Sequence, residues 1–460
     1  MSRRPREAGR PAPGRRRPLP LWPVALAIAV RLVAWLLIPT SRFASDEDSY
    51  YQVSTALLRD GHQDLFWPPV TGWLLAALRT VLGTDSIAVL RLAWIAMDVG
   101  CVLLVRTLAA RVALAVWPDD LSRGSQLVLL ATVGYALYLP AISHAQFATS
   151  EVPALLQVLG TLALVTRVGA GTGSFVAGGI LAGLLVLTRP SLLPLVVMLP
   201  AATVAVRRPV AVRHAMVFVT VATLIVSAHV YRNWRAAGEL TISTNSAYNF
   251  YIGNRDLYAE DLNLFNPRAT PGQIEFRRQQ WSGELALPTA SPAEFQAMAW
   301  TWIGEHPIVF ARRALGRLAR VFVPKTDVLE MLGGEVGAGI TAPRTLALLV
   351  ATNAQWTVVL FGGLLGLCHL RRRSPELGWP FAATIVGSLA LCLIAISKPR
   401  YSFVFDPLLL IGAVLFLMAP QVAMTSLGKT ERWSLAAITA FILWGWAAFL
   451  VFSITSRAAL

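Results

Sequence analysis

Lysine is nearly missing from this 460-residue chain: Lys325, Lys398 and Lys429 are the only ones among 40 basic residues. Cysteine is as scarce. Cys101, Cys368 and Cys392 fall in or at the ends of apolar stretches, so no disulfide framework and no thiolate zinc site is expected. The six histidines show no metal-ligand spacing. No glycine-rich phosphate loop is present either. Gly428-Lys429-Thr430 ends like one, but Ala423 stands where that loop needs glycine. Charge itself is thin, at 14% of residues against 55% hydrophobic. That balance excludes a soluble domain.

Long apolar runs are what the chain has instead. About eleven segments approach the length that crosses a ~30 Å hydrocarbon core: 21–39, 85–105, 126–142, 151–165, 174–187, 192–206, 215–231, 345–367, 380–396, 402–420 and 435–452. The net charge of +15 would point to nucleic acid in a soluble protein. Here its location decides otherwise. Arg3, Arg4, Arg6, Arg10, Arg15, Arg16 and Arg17 crowd the start, and every alternate loop carries arginine or lysine. This is the positive-inside pattern, so no nucleic-acid partner is expected. The expectation is an all-α polytopic membrane protein of the plasma (inner) membrane with a cytoplasmic N-terminus. Residues 1–20 read as a disordered basic tail. The first apolar run reads as an uncleaved anchor, because no small-residue cleavage site follows it. Residues 21–460 form the membrane domain. Its outer segments are 40–84 and 232–344, with short outer turns near Glu151, Arg189 and Lys398. An outer site has no nucleotide supply, which argues against nucleotide-sugar and ATP chemistry.

The first outer segment opens on Ser45-Asp46-Glu47-Asp48-Ser49-Tyr50-Tyr51. Ser45 can cap a helix with Asp48 as its box partner, and acids in a first turn suit the helix dipole. The helix then runs to Asp60, with Gly61 as its stop. Tyr50, Val53 and Leu57 would form its apolar face. Asp46, four residues before Tyr50, would share that face, Asp48 would lie opposite, and Glu47 between. Capping needs no carboxylate on a buried face, whereas a general base does. Both readings stand. Asp46-x-Asp48 also spells the metal-binding signature of nucleotide-sugar enzymes. A divalent metal is therefore possible, but no ligand set indicates one, and no cofactor is expected.

Other stretches can carry chemistry. Pro68-Pro69 starts a short apolar helix that reads as an interfacial hairpin. Lys398 and Arg400 place two cations at headgroup depth, which suits a phosphate; snorkelling or an ion pair with an outer acid explains them as well. Asp406 needs a partner other than Arg400, and Arg31 with Asp98 can pair as structure. The segment 241–256 carries Asn245, Tyr248, Asn249, Tyr251, Asn254 and Arg255, side chains that suit a sugar or a pyrophosphate-like ligand or simply a loop. Ser291-Pro292-Ala293-Glu294 is a strong helix start. Arg313, Arg317 and Arg320 share one helix face, which reads as a membrane-surface helix touching anionic lipid ahead of a catalytic role.

Taken together these stretches resemble the GT-C membrane glycosyltransferases, most of all bacterial family-39-like enzymes related to protein O-mannosyltransferases and the lipid A aminoarabinose transferase. Asp46-Glu47-x-x-Tyr50 with Gly61 and Pro68-Pro69 is similar to the family's first outer loop. Ser150-Glu151, Thr188-Arg189-Pro190, Arg232-Asn233, Gly253-Asn254, His306-Pro307 and Arg400-Tyr401 resemble its later landmarks in order. The resemblance implies a GT-C fold and an inverting transfer from a polyprenyl-phosphate sugar to a glycan, lipid or protein acceptor. Asp46 would be the base with Glu47 beside it. Lys398, Arg400 and Arg255 would meet the donor phosphate. Tyr50, Glu151, Arg232, Asn233, Asn254 and Tyr401 would bind substrate. Loop 40–84 would be catalytic, and 232–344 would bind donor and acceptor. A transporter of lipid-linked sugars, or an envelope polymerase or ligase, is the alternative.

Overall fold

The computed structural model describes residues 20–37, 43, 46–61, 64–206, 210–256, 261–282, 290–326, 328 and 343–457. The expected N-terminal tail and the Ser45 cap lie outside them. Among the described residues the chain is helical throughout, without strands. In order the helices are α1 (Trp22–Leu37), α2 (Glu47–Asp60), α3 (Pro69–Leu82), α4 (Ile87–Val116), α5 (Leu121–Ala136), α6 (Leu139–His144), α7 (Glu151–Val165), α8 (Thr172–Thr188), α9 (Leu195–Val206) and α10 (Val210–Ala237). Then follow α11 (Asn245–Gly253), α12 (Pro271–Ser282), α13 (Pro292–Glu305), α14 (Pro307–Val321), α15 (Pro343–Thr357), α16 (Gly363–Arg373), α17 (Pro375–Ala390), α18 (Asp406–Met418), α19 (Pro420–Ser426) and α20 (Lys429–Arg457).

The apolar segments expected from the sequence fall on helical chain, but 126–142 is split between α5 and α6, and 345–367 runs from α15 into α16. By length and composition, 5 described helices can cross a membrane unaided, and a sixth results if α18 and α19, bent by 102°, count as one. The rest are shorter apolar helices packed among them, as α7 and α8 are. The chain is a multi-pass helical membrane protein.

Buried charge ties the bundle together. Arg31 of α1 pairs with Asp98 of α4, as expected, and the Tyr135 hydroxyl of α5 donates to the same carboxylate at 2.7 Å. Asp406 finds its partners in Lys325 at 3.2 Å and the Tyr138 hydroxyl at 3.0 Å. Groups this deep persist only when paired, since an unpaired charge in low dielectric is costly. Small residues allow close backbone approach elsewhere. At Gly366 of α16 a Cβ would lie 1.8 Å from the Gly412 carbonyl of α18, so no larger residue fits.

At one end of the bundle, α2 and α3 fold back as a hairpin. Gly61 stops α2 with φ of 64° and its N–H on the Leu57 carbonyl, the left-handed cap expected there. Arg79 locks the hairpin through the Ser54 and Thr55 hydroxyls at 2.8 and 2.7 Å. The predicted capping box at α13 is complete: Glu294 N–H donates to Ser291 Oγ, and Ser291 N–H donates to Glu294 Oε2 at 2.7 Å.

Candidate active site

Three adjacent acids go to three different places. The sequence pattern put Asp46 on the buried face of α2. The structure puts Glu47 there instead, fully buried with Tyr50 and Val53. The reason is local. Asp46 is the cap residue with φ of −83° and ψ of 1°, so the helical register begins at Glu47 and cannot be extended back to it. Glu47 takes two bonds from Arg91 at 2.9 and 2.6 Å and one from Ala148 N–H at 2.7 Å. It anchors α2 to α4 and to the turn before α7, and it does not line the cavity. Asp48 is exposed and accepts from Gln52 at 3.4 Å.

Asp46 is partly exposed, and it faces a cavity of about 740 Å³ at the end of the bundle. Arg400, 354 residues away in sequence, donates to it at 2.6 Å. Beneath lies Glu151, the first residue of α7, buried and set between Arg189 at 3.1 Å and Arg400 at 3.4 Å. The floor is therefore an alternation of charges: Asp46, Arg400, Glu151, Arg189. Arg189 also stacks over the Tyr401 ring, 5.1 Å from its centroid. Lys398 completes the wall.

Three elements deliver these groups. Glu47, which accepts from Ala148 N–H, and the Trp94 indole, which donates to the Thr149 carbonyl at 2.7 Å, fix the 147–149 turn and so the start of α7. The break between α8 and α9 presents Arg189. The turn Pro399–Val404 presents Arg400 and Tyr401. Lys325 holds that turn by donating to Ser402 Oγ and, at 3.3 Å, to the Pro399 carbonyl.

The cavity phenols stay protonated. Burial pushes Tyr401 up to about 12 and raises Tyr50 further, because a phenolate in low dielectric loses its hydration. Among the described lining residues Asp46 is the one carboxylate. No group of three or more His, Cys, Asp or Glu side chains that could hold a metal gathers among the described residues.

The remaining predicted site residues separate into two sets. Tyr50, Tyr401, Lys398 and Arg400 line the cavity with Asp46. Asn233 and Asn254 do not, but both brace its walls. Asn233, fixed by His229, donates to the Thr241 carbonyl at 2.8 Å, and Asn254 donates to the Ile394 carbonyl at 2.7 Å. Arg232 is exposed beside Asn233. Arg255 sits outside the cavity over the Tyr251 and Phe276 rings. The arginine face of α14 is turned inward, not toward lipid. Arg313 grips the Arg255 and Asp256 carbonyls at 2.6 and 3.0 Å, and Arg317 donates to the Leu393 carbonyl and to Asn254. Backbone carbonyls, and Asp261 at 3.0 Å from Arg313, take these arginines here, and the sequence period is the same as for a helix facing lipid headgroups.

Arg189 carries no assigned role in the sequence reading; the signal that could have found it is a lone arginine in the short turn between two apolar runs.

No protein-family model and no curated protein matches the chain. Solved structures are similar to it in fold. The Archaeoglobus fulgidus oligosaccharyltransferase tethered with an acceptor peptide is 15% identical over 95% of this chain and 55% of its own, with a TM-score of 0.46. The archaeal oligosaccharyltransferase AglB of that organism, in complex with an inhibitory peptide and a dolichol-phosphate, is 14% identical over 95% and 56%, with a TM-score of 0.44. ArnT from Cupriavidus metallidurans bound to undecaprenyl phosphate is 14% identical over 86% and 78%, with a TM-score of 0.41. The chain spans little more than half the length of the oligosaccharyltransferases it is similar to.

Proposed function

We propose that this chain is a GT-C membrane glycosyltransferase that moves a sugar from a polyprenyl-phosphate donor to an acceptor hydroxyl on the outer face, with Asp46 as general base. One observation carries the reading. The carboxylate that lines the cavity shares it with Lys398, Arg400 and Arg189, and apolar side chains, Val226, Val230, Leu240 and Ile394 among them, line it as well. A site that joins cations, one base and an apolar slot at the end of a helix bundle suits a phosphodiester with a hydrocarbon tail.

The reaction is a single displacement. The acceptor O–H gives its proton to an Asp46 carboxylate oxygen, and the acceptor oxygen attacks the anomeric carbon. The bond from that carbon to the phosphate oxygen breaks on the far side, and its electron pair leaves on the phosphate. The configuration inverts. Lys398 and Arg400 offset the charge that develops on the leaving phosphate. Before the donor arrives, Arg400 occupies Asp46. The donor phosphate competes for Arg400 and frees the base for the acceptor. Glu47 has no part in this step. Loop 40–84 supplies the base through Asp46, and segment 232–344 contributes lining from residues 240–250.

The test compares lipids that co-purify with the wild type and with Asp46→Asn, by mass spectrometry. A polyprenyl-phosphate sugar enriched on the variant is the expected result. If neither protein carries an isoprenoid phosphate, the donor assignment is wrong.

A further inference from the structure

We infer that α11 is the acceptor subsite and that the acceptor it takes is an uncharged saccharide; this rests on the glycosyl-transfer reading. The first support is where α11 sits. At its start, the Thr244 and Asn245 N–H groups donate to the Leu65 and Phe66 carbonyls at 2.8 and 3.1 Å. Those carbonyls belong to the loop that follows the Asp46 helix. At its end, Asn254 donates to the Ile394 carbonyl and Arg317 clasps Gly253 together with Leu393. The helix is a crossbar between the loop of the base and the segment that leads into Lys398 and Arg400.

The second support is its chemistry. Asn245, Ser246, Tyr248 and Asn249 line the cavity from α11, and Thr241 and Ser243 line it from the segment just before. Between residues 240 and 250 there is no charged side chain. An amide both donates and accepts, as a hydroxyl does, so paired amides and hydroxyls match adjacent sugar hydroxyls. Aromatic rings stand beside them. Phe66 lies 5.3 Å from Trp67 and 5.7 Å from Tyr248, centroid to centroid. Such rings suit the apolar face of a pyranose.

The third support is a charge ledger. Arg189 is held by Glu151, and Arg400 by Asp46 and Glu151. Lys398 also lines the cavity, and in this reading the donor phosphate takes it. Along 240–250 an acidic acceptor would meet no cation, and it would approach Asp46 against repulsion. A peptide acceptor is disfavoured on different grounds. Extended peptides are recognised largely through their backbones, whereas the N–H groups at the start of α11 are taken by the Leu65 and Phe66 carbonyls and the helix offers side chains.

The experiment uses the full chain in lipid nanodiscs and saturation-transfer NMR. The probes are neutral methyl glycosides and short neutral oligosaccharides, the matching uronates, and a serine- and threonine-containing peptide. Each is measured with and without polyprenyl monophosphate. Neutral saccharides should bind at least about tenfold more tightly than uronates or peptide. Asn245→Ala and Asn249→Ala should each weaken that binding several-fold and leave polyprenyl phosphate binding as in the wild type. The ligand comparison is made on the wild type, so it stands even if a variant misfolds. Uronate or peptide binding as tight as the neutral sugar overturns the inference, as does neutral binding indifferent to both asparagines. The two levels separate cleanly. If polyprenyl phosphate itself fails to bind the wild type, the glycosyl-transfer reading falls. If it binds and no neutral saccharide does, only the acceptor assignment falls.

Discussion

Arg400 and Asp46 meet at 2.6 Å across 354 residues of sequence, and the pair joins the two ends of the chemistry. One partner is the proposed base, the other a proposed phosphate ligand. The same guanidinium also faces Glu151 at 3.4 Å. Arg400 is thus shared between a carboxylate that lines the cavity and one that is buried beneath it.

Asp46→Asn keeps the shape and an acceptor for Arg400 but cannot take a proton. Transfer should fall by about 10²–10⁴-fold, the usual weight of a general base, while the donor KM changes little. Arg400→Ala should raise the donor KM by tenfold or more and also lower kcat, because Asp46 loses the group that orients it. Steady-state kinetics with varied donor separates the two patterns. Equal kcat in wild type and Asp46→Asn removes Asp46 from the mechanism.

Glu47 behaves differently. Its carboxylate is buried against Arg91, at 2.6 Å, and against Ala148 N–H. Glu47→Gln leaves Arg91 as a buried cation with a neutral partner. The loss of one member of such a pair costs about 3–5 kcal/mol. The variant should unfold at a clearly lower temperature yet turn over at near wild-type kcat per folded molecule. A normal unfolding temperature with lost turnover would return Glu47 to the chemistry.

Much of this was readable before any coordinates. The apolar periods located the membrane helices, Gly61 located the end of α2, and Ser291 with Glu294 located the start of α13, because each rests on local physics. Asp46 was singled out by its neighbours in sequence, Lys398 and Arg400 by charge at a span end, and Tyr401 by the resemblance alone; all four line the cavity. What local pattern could not supply was partner choice. Whether Asp46 or Glu47 faces inward depends on one backbone angle pair at the cap. Whether Arg313 and Arg317 touch lipid or backbone carbonyls depends on where Gly253, Arg255, Asp256 and Leu393 lie. Arg255 carries the charge a phosphate wants, but two aromatic rings hold it outside the cavity.

Gly253 tests the crossbar. A Cβ there would lie 2.3 Å from the Ala395 carbonyl oxygen, a backbone atom that cannot rotate away. Gly253→Ala must therefore push α11 off the 391–396 segment. Donor and acceptor KM should both rise severalfold, with a smaller change in kcat, since Asp46 is anchored independently through α2. An unchanged KM for both substrates would show that α11 does not set the width of the cavity.

The buried pair of Lys325 and Asp406 separates stability from positioning. Asp406 is fully buried and takes Lys325 at 3.2 Å and Tyr138 at 3.0 Å. Lys325→Met alone leaves Asp406 with one neutral donor and should cost about 3–5 kcal/mol. Adding Asp406→Leu removes the stranded charge, and apolar replacements of buried pairs are often neutral or stabilising. The double variant should therefore recover most of the unfolding temperature. It should not recover donor binding. Lys325 also holds the Pro399 carbonyl at 3.3 Å and the Ser402 hydroxyl, and those contacts fix the turn that carries Arg400 and Tyr401. The expected outcome is a stable protein with a raised donor KM and an Asp46-dependent kcat that is preserved. If the double variant binds donor as the wild type does, Lys325 serves the bundle alone, and Arg400 is positioned by its own two carboxylates.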